Sequence, residues 1–97
     1  MSTSFTHSVS LFRIEPERNC YRAYRLEVVP DLFGSWCVMR FWGRIGRKQR
    51  SMYEAFPTYE KAREQAEKLL HRRLGRGYSI RRVDRMVDVT PQGVRAG

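Results

Sequence analysis

Apolar positions along this chain keep two different periods, and the change between them divides it. Val9 to Ile14 (VSLFRI) is rich in β-forming residues and reads as a first strand. EPERN interrupts it, Pro16 and Asn19 being turn residues. Tyr24, Leu26 and Val28 then alternate with Ala23, Arg25 and Glu27, the period of two of a half-buried strand. PDLFG at 30–34 is a turn, since Pro30 has no N–H for a sheet ladder and Gly34 tolerates unusual backbone angles. Ser35 to Trp42 (SWCVMRFW) forms a third strand with Cys37, Met39 and Phe41 on one side. Its other side carries Trp36, Val38, Arg40 and Trp42. The first side is the expected core face, because the second sets an arginine between two tryptophans. GRIG at 43–46 bends the chain, and residues 49–56 return as a fourth strand.

Beyond Pro57 the period lengthens to that of a helix. Thr58 is an N-cap residue and Glu60 suits the positive end of the helix dipole. Ala62, Ala66, Leu69, Leu70 and Leu74 share one face. Arg63–Glu67 and Glu64–Lys68 are i,i+4 pairs on another. Arg72 and Arg73 occupy the last turn, and Gly75 or Gly77 ends it. From Ser79, IRRVDRMVDV alternates apolar and basic residues and is either an edge strand or a loose tail. The pattern predicts an α+β fold, a twisted antiparallel sheet of about four or five strands with one long helix on one face. Tyr24, Leu26, Val28, Met39, Phe41, Ala66, Leu69 and Leu70 are expected between the two layers. The expected domain spans 8–80, with flexible termini at 1–7 and 90–97.

Ninety-seven residues suffice for one domain with a thin core. Charge changes the picture most. Lysine and arginine total 19 against 10 acids, a net charge of +9, and Lys48, Lys61 and Lys68 are the only lysines. Arginine-biased codon usage would account for part of this. The guanidinium fork also grips phosphate in two places and stacks on rings, so an anionic partner is expected. Cys20 and Cys37 form no CxxC motif, and His7 and His71 have no ligand-spaced companions, so no metal is expected. Reduced thiols and a cytoplasmic location are expected, with no signal peptide and no membrane segment. No phosphate loop or nucleophile motif is visible, so neither an enzyme, a small-molecule substrate nor a cofactor is expected.

The basic excess is densest in RFWGRIGRKQR, residues 40–50, where five cations flank a phenylalanine and a tryptophan without one acid. Trp42 is as well placed to pack on a sheet edge as to contact a ligand, and Trp36 reads as sheet cover. Arg40 could simply pair with Glu27 or Glu54 across strands. Arg47, Lys48 and Arg50 suit a solvated loop that attracts phosphate. Arg72, Arg73 and Arg76 complement the helix dipole, and join a binding surface only if they lie beside that loop. Tyr24 and Tyr78 are expected to be packed, each hydroxyl reaching a partner.

WGRIG at 42–46, PDLFGSW before it, and FPT and RGY after it resemble the WGR domain, a module of DNA-dependent poly(ADP-ribose) polymerases and small bacterial proteins. The resemblance covers roughly Ser8 to Tyr78 and implies a twisted antiparallel sheet with one helix. It also implies a DNA-binding role at strand ends or nicks, DNA being favoured over RNA. Trp42 would pack against sugar at a strand end and Arg44 would lie near the DNA. Many relatives carry glycine shortly after GRIG, where this chain has RKQR with Gln49. The resemblance and the charge together nominate Trp42, Arg44, Arg40, Arg47, Lys48 and Arg50 as nucleic-acid contacts. The alternative is a protein-interaction module that docks an acidic partner.

Overall fold

A computed structural model of the chain describes residues 8–84. Strands β1 (Ser8–Glu15), β2 (Cys20–Pro30), β3 (Trp36–Arg44) and β4 (Arg50–Phe56) precede helix α1 (Tyr59–Gly75), and β5 (Ser79–Asp84) follows it. They form one antiparallel sheet in the order β4-β3-β2-β1-β5. The α+β architecture is therefore as expected, and the alternation after Ser79 begins as an edge strand beside β1. The expected flexible segments 1–7 and 90–97, and the rest of that alternation, lie outside the described residues.

Local chemistry sets each connection. Pro16–Arg18 makes a single 3-10 turn, which Asn19 ends in the left-handed region at φ 53°. Asparagine visits that region more readily than most side chains. Between β2 and β3, the Asp31 carboxylate accepts hydrogen bonds from the Phe33 and Ser35 N–H groups at 2.8 and 3.0 Å. That side chain imitates a backbone turn. The helix starts where Thr58 caps it, its hydroxyl accepting from the Lys61 N–H at 3.2 Å.

Register decides which face is core. Tyr24 lies opposite Trp42, Leu26 opposite Arg40 and Val28 opposite Val38. Residues opposite one another share a face. The Trp36–Val38–Arg40–Trp42 side of β3 thus joins the apolar side of β2, and α1 covers it. The core comprises Val9, Leu11, Tyr24, Leu26, Val28, Val38, Ala62, Ala66, Leu69, Leu70 and Tyr78. The expectation for β3 is corrected here. Met39 and Phe41 are half-buried on the opposite, open face. A period of two gives the alternation but not which side faces inward, and pairing settles that. Leu74, the last residue of the shared helix face, is exposed, and Arg73 and Tyr78 lie against Tyr24 at that end of the helix. Of the two helix pairs, Arg63–Glu67 closes at 2.8 Å.

The helix begins where Tyr59 packs edge-on to Trp36, ring centroids 5.0 Å apart. It finishes where the Arg73 guanidinium lies 4.2 Å from the Tyr24 ring. One end of the molecule therefore gathers the β1–β2 turn, the β3–β4 turn and the C-terminus of α1. The other holds the β2–β3 turn and the start of α1.

Tyr24 departs from expectation in one respect: its buried hydroxyl has no hydrogen-bond partner among the described residues. A buried polar group without a partner costs about 1–3 kcal/mol. Tyr24→Phe should accordingly leave stability unchanged or raise it by up to about 1 kcal/mol in urea unfolding. A clear loss would mean that the hydroxyl is bonded in solution.

Candidate nucleic-acid interface

At the turn-rich end, the β3–β4 connection is built from backbone bonds. The Ile45 N–H donates to the Tyr21 carbonyl at 2.8 Å and carries the β2–β3 ladder past Arg44. The Arg47 N–H donates to the Arg44 carbonyl at 3.0 Å, with Gly46 at φ 83° in the third position of the turn. That position requires positive φ in a type II turn. The returning chain passes close over Gly43, where a Cβ would stand 3.4 Å from the Gln49 Cα. Gln49 itself needs no glycine, since Asn19 alone among the described non-glycine residues has positive φ. Arg47, Lys48, Gln49 and Arg50 are all exposed on this tip.

Arg44 ends β3 and is held from two directions. Its terminal nitrogens donate to the Asn19 carbonyl and to Asn19 Oδ1, each at 3.2 Å, and its guanidinium sits 5.2 Å from the Tyr21 ring centroid. These bonds leave further N–H groups free for a ligand oxygen, because a guanidinium carries five in all.

The β1–β2–β3 register adds residues that sequence reasoning missed. Arg13 lies opposite Arg22, and Arg22 opposite Arg44, so three arginines stand in line across three strands on the helix side. Like charges directly opposite one another are unfavourable, and an anion across the row relieves them. Glu15 answers part of this charge. It bonds Arg13 at 3.0 Å and lies 3.6 Å from Arg18. The hydrogen bond from Arg13 holds the Glu15 carboxyl below the ordinary carboxylate range, despite some desolvation. Arg18, Asn19, Cys20, Tyr21, Arg22 and Arg44 line an open cavity of about 340 Å³ with no carboxylate among them. The strand spacing needed to predict this row depends on register, and one sequence does not carry it.

The next row holds Tyr24, Trp42 and Arg50. Trp42 is half-buried and packs on the core, so it has a structural part whatever else it touches. Arg40 sits one row further, between Leu26 and Met52, with its guanidinium 6.0 Å from the Trp42 ring and against the Met52 sulfur. It does not pair with Glu27, which lies on the opposite face and bridges Arg25 at 3.1 Å. Arg73 reaches this neighbourhood from α1, covering Tyr24 and approaching Tyr78 at 5.5 Å. Arg72 points elsewhere, lining a groove on the outer helix with Glu64, Glu67, Lys68 and His71. The structure therefore brings Trp42, Arg50, Arg40 and Arg73 together on one face. Arg44 stands beside them, and Arg47 and Lys48 project from the tip.

Other features are structural. Trp36 packs on Tyr59 at the far end. Burial pushes the Cys37 thiol up from its ordinary value. Among the described residues no cluster of histidine, cysteine and carboxylate suits a metal ion, and no helix is long and apolar enough to cross a membrane.

A family model described as the WGR domain matches residues 7–85. A similar protein is the uncharacterized protein y4dW of Sinorhizobium fredii, 41% identical over 69 residues. That match covers 71% of this chain and 34% of the relative, so the chain spans about a third of the relative's length. The chain belongs to the WGR domain family.

Proposed function

Proceeding from that membership, we propose that this chain is a non-catalytic nucleic-acid-binding module whose target is DNA, with a preference for strand ends or nicks. The WGR family is one of nucleic-acid-binding modules found in poly(ADP-ribose) polymerase-like proteins. The observation that carries the reading is the Arg13–Arg22–Arg44 row beside Trp42 and Arg50. Phosphates would lie along the arginines, which position a duplex without reading its sequence. Trp42 would meet the sugar or base that only an end or nick exposes. A cytoplasmic location belongs to the same reading.

Docking of an acidic protein partner is the second reading. One feature speaks for a protein contact, the pair Leu32 and Phe33, which are 95% and 89% exposed on the β2–β3 turn. That turn contains Asp31 and lies at the end opposite the arginine row, so it does not suit an acidic partner.

A competition between linear and covalently closed duplex tests the preference for ends. Stacking on an exposed base is worth about 1–3 kcal/mol, and a sugar contact belongs at the low end of that range. Trp42→Ala should therefore cut the preference for linear DNA by about fivefold while changing closed-circle binding less. Arg44→Ala should weaken both, since both carry phosphates. Near-UV dichroism checks that Trp42→Ala is folded. A folded variant that keeps the full preference would assign Trp42 to packing alone.

A further inference from the structure

We propose that the open face of the sheet, opposite α1, is a second nucleic-acid surface that stacks the unpaired bases of a single strand. Among the described residues no helix packs on this face, although Gln49 closes over it at Gly43 and Cys37 is buried near its other end. By register it carries Phe12 on β1, Ala23 and Arg25 on β2, Phe41 and Gly43 on β3, and Tyr53 on β4. The rings step diagonally across the sheet. Phe12 shares a row with Ala23 and Gly43, Phe41 lies one row along, and Tyr53 one row further. Ala23 keeps the place beside Phe12 low, and Gln49 closes over Gly43 at the far end of that row. There Ser10, Phe12, Ala23, Tyr24, Arg25 and Gln49 line a hollow of about 220 Å³.

Two guanidinium groups sit on this platform, each against a ring. Arg25 lies 4.7 Å from the Phe41 centroid and Arg81 lies 5.3 Å from that of Phe12. Flat rings interleaved with planar cations match a strand of flat bases joined by phosphates, because bases stack on aromatic side chains and on guanidinium planes alike. On β1 to β4 the one carboxylate of this face is Glu27, tied to Arg25 at 3.1 Å. A merely apolar protein-docking face would not need cations laid on its rings. Arg25 and Tyr53 lie on the side away from the Arg13–Arg22–Arg44 row. The proposal therefore extends the DNA-binding reading to a second substrate form and does not depend on Trp42.

The test is fluorescence anisotropy of two labelled probes, an oligothymidylate about eight nucleotides long, matching the size of a small single-strand site, and a closed duplex. Tyr53→Ser and Arg81→Ser alter exposed residues, so both variants should fold. Each should weaken the oligothymidylate by about fivefold or more, as loss of one stacking or phosphate contact does, and leave the duplex unchanged. Trp42→Ala should leave the oligothymidylate unchanged. An oligouridylate arm shows whether RNA is taken as well. Wild type that binds the single strand but not the duplex would uphold this proposal and overturn the duplex reading. The proposal fails if the single strand does not bind, or if Tyr53→Ser and Arg81→Ser leave it unchanged. It also fails if Trp42→Ala abolishes it, or if oligoglutamate displaces it as well as unlabelled oligothymidylate does.

Discussion

Leu70→Ala is expected to cost about 2–5 kcal/mol, the range for large-to-small changes in a packed core. Leu70 is 2% exposed, and α1 buries only Ala62, Ala66, Leu69 and Leu70 against the sheet. The two leucines thus carry most of the fully buried apolar contact, since the alanines bring their backbone close but little area and Tyr59 packs only partly buried against Trp36. Single domains have about 5–15 kcal/mol in total, so this loss is a large share of it. Urea unfolding should show a lower midpoint with an unchanged slope. The consequence reaches the proposed site, because the same packing brings Arg73 onto Tyr24, beside Trp42. A cost below about 1 kcal/mol would mean that the helix is not packed as described.

Salt should have the other large effect. If about four to six phosphates are neutralised, log K falls with log salt at a slope of roughly −4 to −5. Going from about 50 to about 200 mM salt then weakens binding by about 10²–10³-fold. Arg47, Lys48 and Arg50 are exposed, so replacing all three with alanine should leave folding intact. That variant should flatten the slope and weaken every duplex to a similar degree, ended or closed. Binding indifferent to salt would show that the net charge of +9 is not engaged.

Much of the architecture was legible because its signals are local. The alternation of Tyr24, Leu26 and Val28, the Thr58 cap and the helical spacing of Ala62, Ala66, Leu69 and Leu70 each need only neighbours in sequence. Which side of β3 faces inward is not local. It depends on Val38 meeting Val28, and the arginine between two tryptophans misleads because α1 leaves that stretch partly open at Arg40. The candidate site divides in the same way. Residues 40–50 were visible as a run of charge, whereas Arg13, Arg22 and Arg73 come to it from β1, β2 and α1 through pairing and packing. Gly43 lay between these cases. Its motif was plain, but its use as the point where Gln49 closes over β3 appears only once the hairpin is formed.

The most direct measurement uses the chain's two tryptophans as markers for its two ends. Each contributes one indole N–H signal to a nitrogen–proton correlation spectrum. Trp42 sits in the row beside Arg22 and Arg44, and Trp36 packs on Tyr59 at the far end. Titrating a short blunt duplex should shift the Trp42 signal and leave that of Trp36 in place. A Trp36 signal that moves while Trp42 stays still would contradict the account.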